Sequence, residues 1–394
     1  MPAIIRIVIL LVVVLAARDS LAASPALVPA LPGSLAPNLA MGGDGTLVLS
    51  WLEPDGVGHR LRYARWAGAG WGDPHTVARG DNWFVNWADF PSVVPIDKQF
   101  WVAHWLVRRP AGGYAYDVVV ALSEDGGDHF GAPFRPYADD SDTEHGFVSL
   151  FPDGDGAGLV WLDGRHMHED GRGMTLRAAR LTTGGGIEDQ AELDSLTCDC
   201  CQNTTAVSDD GPVAVYRNRT PAEIRDIYIA RRIDGEWHEG QPVADDGWTI
   251  GGCPVNGPAV AARDHEVVVA WFTAADDAPR VRLARSADST APFGDPVDVA
   301  AGTALGRVGL VLLDDGAAVV SLLQAAGEGT AELQLVRVSQ SGEPGAPLVV
   351  ARGLPAFSVP QLAVAGDELL LAWTSRQDGT SRVASARIAL HSLD

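Results

Sequence analysis

The chain of 394 residues carries 51 acidic against 29 basic side chains, a formal net charge of −22 at pH 7 and a pI near 4.7. Such a surface repels nucleic acid and anionic lipid, which excludes both as natural partners, and it favours cations and neutral ligands. Lys98 is the only lysine, and this arginine bias with abundant alanine and glycine matches a GC-rich bacterial coding sequence.

The first segment, 1–23, combines Arg6, an apolar run over 7–17 and the small-residue stretch Ser20, Leu21, Ala22, Ala23. That order reads as a secretory signal peptide cleaved near Ala22 or Ala23, so a periplasmic or secreted bacterial protein is expected. The run falls short of the roughly 20 apolar residues that a membrane-spanning helix needs. No later stretch is long and apolar enough, so no membrane span is expected.

Length alone predicts two or three domains, but an internal repeat overrides it. Short apolar runs, most ending in an aromatic residue, occur at 47–51 (LVLSW), 101–105 (WVAHW), 158–161 (GLVW), 213–216 (VAVY), 267–271 (VVVAW), 319–322 (VVSL) and 369–373 (LLLAW). They recur at intervals of roughly 50 to 56 residues, the range of long β-repeats. Each is followed by a run alternating apolar and polar residues, at 60–65, 117–121, 176–180, 227–231, 281–285, 333–337 and 383–387. Alternation is the period of a half-exposed strand. Further strands open each unit, as at 36–40, 90–94, 257–260 and 359–363, and close it, as at 74–78, 296–300 and 347–351. Four short antiparallel strands repeated radially make a β-propeller. The expectation is an all-β, single domain over 24–394 with seven four-stranded blades. The seventh unit stops after its third strand, and 25–31 resembles a closing strand, so the N-terminal segment is expected to complete the ring.

After the third strand of blade two comes Ser123-Glu124-Asp125-Gly126-Gly127-Asp128-His129-Phe130, and blade five has a degraded copy from Ser286 through Asp288 to Phe293. The first copy resembles the Asp-box (BNR) repeat, Ser-x-Asp-x-Gly-x-x-Phe/Trp, of the sialidase-like propeller superfamily. In this motif the aspartate accepts backbone N–H groups within the hairpin and the aromatic packs into the blade. It bears on scaffold, not on chemistry. The family's first substrate-binding arginine lies in an early Phe-Arg-Ile-Pro-like segment. The corresponding segment here, 35–39 (LAPNL), has none, so the resemblance implies the scaffold without the sialidase active site.

In such a blade, loops leading into first strands share a face with loops between second and third strands. Sorting the chain this way gathers the unusual residues at one mouth over blades three to five, while blades six and seven contribute bland loops. Function is expected where loops converge on a rigid scaffold. Cys198, Cys200 and Cys201 precede blade four and Cys253 precedes blade five, in equivalent and therefore neighbouring loops. An even cysteine count in an exported protein is consistent with disulfides. A thiolate metal site and redox-active thiols also fit, because three cysteines within four residues staple poorly. His166, Met167 and His168, with Met174 behind them, lie in the blade-three loop. Thioether, thiolate and imidazole together suit copper, whereas zinc would take a closed tetrahedron from the four cysteines. His145 is a weaker candidate ligand. Arg165, Arg217, Arg219 and Arg225 are a candidate anion site, since guanidinium forks bind carboxylates, with inter-blade ion pairing as the rival.

Three readings follow. The first is an exported propeller with a cysteine-centred metal site, for copper or otherwise zinc. The second is a glycoside hydrolase or glycan-binding protein that uses the arginines for an acidic sugar and Asp89, Glu223 or Asp226 for acid–base work. The third is a disulfide-stapled scaffold for a protein partner.

Overall fold

The seven apolar runs form the second strands of seven antiparallel sheets. These strands read as unbroken apolar runs because both faces are covered by neighbouring blades. Leu47–Asp55, for example, is buried over its first seven residues. The computed structural model describes residues 23–169, 172–288 and 290–393, and the expected signal peptide therefore lies almost wholly outside the described residues. Among the described residues, no helix is long and apolar enough to cross a membrane.

The chain is a seven-bladed propeller. Blade one is Leu35–Met41, Leu47–Asp55, Gly58–Arg65 and His75–Gly80. Blade three is His145–Asp153, Gly156–Asp163, Thr175–Leu181 and Ile187–Asp194. Blade four is Thr204–Ser208, Gly211–Arg217, Ile227–Ile233 and Glu236–Pro242. Blade five is Ala259–Arg263, Glu266–Thr273, Arg280–Ser286 and Val297–Ala301. Blade six starts at Ala304–Leu312 and ends at Leu348–Pro355.

Two blades depart from four regular strands, both because of proline. In blade two, Ser92–Pro95, Trp101–Arg108 and Tyr116–Ser123 form a regular sheet, but the fourth strand shrinks to a bridge between Val120 and Phe134. Pro133 and Pro136 flank that bridge and cannot donate to a ladder. Blade seven comprises Gln361–Ala365, Glu368–Gln377 and Thr380–Ala389, and the N-terminal segment closes it. The ladder covers only Ser24 and Pro25, paired with Arg387 and Ala386, and continues in a bond from Ala26 N to Ser385 O. The rest of 25–31 follows the blade without a regular ladder, since Pro25 and Pro29 lack N–H groups. Arg382 still donates to the Ala30 carbonyl and Gly33 N to Ser381 O.

Trp51, Trp101, Trp161 and Trp271 are fully buried between blades. A buried indole N–H needs an acceptor; three of the four have one, and Trp101 Nε1 has none among the described residues. Trp51 donates to Glu53 and Trp161 to Asp163, both at 2.8 Å, and Trp271 to Asp246 at 2.7 Å. The first strands of the blades surround an axial cavity of about 460 Å³. The loops on one side of it carry the candidate site.

Candidate thiolate site and its polar rim

The loop at 198–201 is fixed from below before its sulfurs come into play. Thr197 donates twice to the Met174 carbonyl, through N at 2.8 Å and Oγ1 at 3.2 Å, and Cys198 N donates to Arg217 O at 3.0 Å. Arg217 ends the second strand of blade four and is 1% exposed. Its guanidinium donates to the carbonyls of Asn256 (2.9 Å), Arg225 (2.6 Å) and Phe272 (2.7 Å) and lies 4.8 Å over the Trp248 ring. Arg217 thus locks blade four to blade five. The two loops also touch through Gly257, where an added Cβ would lie 2.0 Å from the Gln202 carbonyl oxygen. Glycine here permits the close backbone approach.

This frame brings the four cysteines together. Cys200 and Cys253 form a disulfide, and Cys198 and Cys201 are buried free thiols. Cys198 Sγ lies 2.8 Å from Cys201 Sγ and 3.9 Å from Cys200 Sγ. The sulfurs of Cys198, Cys200 and Cys201 are all within 4.8 Å of one another. Arg225 Nη1 approaches Cys198 Sγ at 3.4 Å. The hydrogen bond from Cys201 lowers the pKa of Cys198 below the usual thiol range; the backbone at Cys200 and the charges of Arg217 and Arg225 help, against the opposing effect of burial. Burial pushes Cys201 the other way. The pair therefore favours one thiolate on Cys198 sharing a proton with Cys201.

An ion-pair chain rims the thiols. Arg225 binds Glu223 Oε2 through Nη2 (2.8 Å) and Nε (3.2 Å), and Arg219 binds Glu223 Oε1 through Nη2 (2.6 Å) and Nε (3.0 Å). Arg219 Nη1 reaches Asp199 Oδ2 at 3.2 Å. Glu223 thus joins two guanidinium forks, one of them also against a cysteine sulfur.

Toward blades two and three lies a second polar group. Tyr116 Oη is 2.8 Å from both Asp89 Oδ2 and Glu144 Oε1. One hydroxyl proton serves only one carboxylate, so the second bond requires a protonated carboxyl. Burial accordingly pushes Asp89 up to about 7, with the bonds from Tyr116 and Phe147 N opposing it. Glu144 is also pushed up to about 7, by burial first and by the charges of Asp89 and Asp199. Asp89 is 1% exposed, whereas Glu144 is half-buried.

Several of the expected site residues have other work. His145 is buried between blades, stacked on Tyr137 with Nε2 3.1 Å from Asp139, and burial lowers its pKa. Its chain neighbour Glu144 is the one that belongs to the polar group. Arg165 is bound bidentately by Asp163, both contacts at 2.7 Å. Asp226 accepts from Gly247 N and Trp248 N and holds that turn. Arg217, saturated by carbonyls, has no fork left for a ligand carboxylate. His166 bonds Glu169 at 2.7 Å, and Met167 and His168 are exposed; no histidine shares the cysteine group among the described residues. Met174, expected beside the metal ligands, is instead a fully buried core residue. Tyr116 and Asp199 escaped sequence reasoning. Tyr116 sits at the start of an alternating strand, and nothing local distinguishes it from a core tyrosine.

No protein-family model matches the chain, and no curated protein does. Solved structures share the fold. A protein of unknown function from Dyadobacter fermentans superposes with a TM-score of 0.52 at 10% identity, covering 90% of this chain and 94% of that one. A puromycin-hydrolyzing peptidase from Mycobacterium tuberculosis gives 0.52 at 15% identity, covering 89% of this chain and 53% of the peptidase. Glycoside hydrolases are among the neighbours, including an α-L-arabinofuranosidase from Fusarium graminearum at 13% identity, 92% and 94% coverage and a TM-score of 0.47. At these identities the likeness is one of fold alone.

Proposed function

We propose that this propeller is an exported soft-metal protein whose mouth binds Cu(I) through Cys198, Cys200 and Cys201 once the Cys200–Cys253 bond is reduced. The observation that carries this reading is the gathering of three sulfurs within 4.8 Å of one another. Thiolates select Cu(I), whereas zinc takes a closed set of four N or S ligands. Reduction also frees Cys253, but its sulfur is not one of the three that lie within 4.8 Å of one another. Arg217 and Arg225 supply positive charge toward Cys198, and Arg307 toward Cys201, which offsets the negative charge of a thiolate cluster. A disulfide within the site agrees with an oxidising compartment such as the periplasm. Anaerobic Cu(I) titration of the reduced chain against a chromophoric competitor tests the reading. A single tightly held equivalent is expected, lost in Cys198→Ser and in Cys201→Ser; a reduced chain that takes up no stoichiometric copper overturns it.

The Asp89–Tyr116–Glu144 group favours a second reading, glycoside hydrolysis. A carboxyl with its pKa near 7 suits a general acid, and the half-buried Glu144 is the member positioned to meet a substrate. Turnover of fluorogenic glycosides, including a sialoside, that disappears in Glu144→Gln would replace the copper reading. The disulfide supports the third reading, a stapled scaffold, but that reading leaves the paired thiols of Cys198 and Cys201 without a role.

A further inference from the structure

Three features of the cysteine group go beyond metal binding. The two redox states of a cysteine pair sit side by side: a rim disulfide, Cys200–Cys253, and a buried dithiol, Cys198 and Cys201. Cys198 is the sulfur that contacts both, at 3.9 Å from Cys200 Sγ and 2.8 Å from Cys201 Sγ. Access is graded as well. Cys253 is exposed and Cys200 half-buried, while Cys198 and Cys201 are each 1% exposed.

We propose that these four residues form a thiol–disulfide relay by which the buried dithiol reduces an external disulfide presented at Cys253. Disulfides exchange by attack of a thiolate on a disulfide sulfur. Cys198, having lost its proton to solvent, attacks Cys200 Sγ. The Cys198–Cys200 bond forms, the Cys200–Cys253 bond breaks, and the electron pair leaves on Cys253. Cys201 then attacks Cys198 Sγ, forming Cys198–Cys201 and expelling Cys200, which takes up the proton that Cys201 gives up. Two thiols have become a disulfide inside, and one disulfide has become two thiols at the rim.

The rim thiols do the external chemistry. Cys253 as thiolate attacks an incoming disulfide and expels one of its halves as a thiol. Cys200 attacks Cys253 Sγ, releasing the second half and restoring Cys200–Cys253. In net terms the external disulfide gains two electrons and two protons, and Cys198 and Cys201 lose them. Arg225, 3.4 Å from Cys198 Sγ, stabilises the attacking thiolate. The substrate class is a disulfide small or flexible enough to reach the mouth. Copper takes no part in these steps.

The test uses the full chain with glutathione disulfide as the probe, with thiol release followed and disulfides mapped by peptide mass spectrometry. The wild-type chain should release both glutathione thiols and gain Cys198–Cys201 while keeping Cys200–Cys253. Cys201→Ser should stop at a Cys198–Cys200 bond with glutathione held on Cys253, releasing one glutathione thiol and not two. In the double variant Cys200→Ser/Cys253→Ser the buried pair should oxidise at least about tenfold more slowly, because attack on a shielded thiol is limited by access. Circular dichroism checks that each variant is folded. Oxidation of the double variant at the wild-type rate, or an untouched Cys200–Cys253 bond in Cys201→Ser, overturns the relay. Copper uptake by the reduced wild-type chain is measured separately, so loss of either property leaves the other standing.

Discussion

The 123–130 hairpin of blade two and the cysteine mouth are both short polar loops on the same scaffold, but they are held in different ways. In the hairpin, Ser123 Oγ donates to Asp125 (2.8 Å) and accepts from Gly127 N (2.9 Å), and Asp125 Oδ1 accepts from His129 N (2.9 Å). Every one of these bonds spans four residues or fewer, and Phe130 packs against the core. In the mouth, Cys198, Arg225, Asn256 and Phe272 are all tied to Arg217, over more than one blade. The hairpin also accepts one buried bond from blade one, Tyr63 Oη to the Gly127 carbonyl at 2.9 Å. Its own closure is nonetheless local, whereas the mouth hangs from the neighbouring blade and fails with that interface.

The largest effect should come from Arg217→Ala. Three buried carbonyls lose their donor and a cavity opens between blades four and five, so a loss of about 3–5 kcal/mol is expected, read as a fall in the urea midpoint. A loss no greater than that of an ordinary surface substitution would remove the inter-blade lock from the comparison. Gly257→Ala comes next, at about 2–3 kcal/mol, because the new methyl meets backbone and not a side chain that can swing away. If the loops stay together in that variant, Cys200–Cys253 still forms; a free Cys253 detected by alkylation would show that Gly257 sets their contact.

The third test is a pH profile. Burial raises the folded-state pKa of Asp89 to about 7, against a model-peptide value of about 3.9. Between these values the folded chain binds a proton that the unfolded chain does not, so this group makes stability fall as pH rises. Asp89→Asn removes up to about 1.4 kcal/mol per pH unit of that slope. Urea midpoints of variant and wild type should therefore shift in favour of the variant from pH 5 to pH 7; parallel profiles would refute the shared-proton arrangement around Tyr116. The smallest effect belongs to the hairpin. Ser123→Ala should cost about 1 kcal/mol, the worth of an ordinary buried hydrogen bond. Hydrogen exchange should quicken at 125–129 and not at the mouth.

The same contrast explains what was readable in advance. Strands and blades were legible because each depends on neighbours in sequence: a 2-residue alternation, an apolar run, a Gly–Asp turn. The blade count came with them, as did the adjacency of the cysteine loops, since equivalent loops of successive blades must be neighbours. Proline set the two departures from regularity, in the reduced fourth strand of blade two and the short closing ladder of blade seven.

Which residues of the mouth face each other was a different matter. His145 and Glu144 are adjacent in the chain, yet one is sealed between blades and the other reaches Tyr116. Arg217 and Arg225 flank one loop, yet the first is consumed by carbonyls while the second meets a sulfur. The pairing of Cys200 with Cys253, leaving Cys198 and Cys201 as thiols, likewise depends on the path of two loops. Local pattern determines backbone conformation because hydrogen bonding and hydrophobic period act over a few residues. Side-chain partnership across blades depends on distances that close only when the ring does, and there the tertiary structure alone decided.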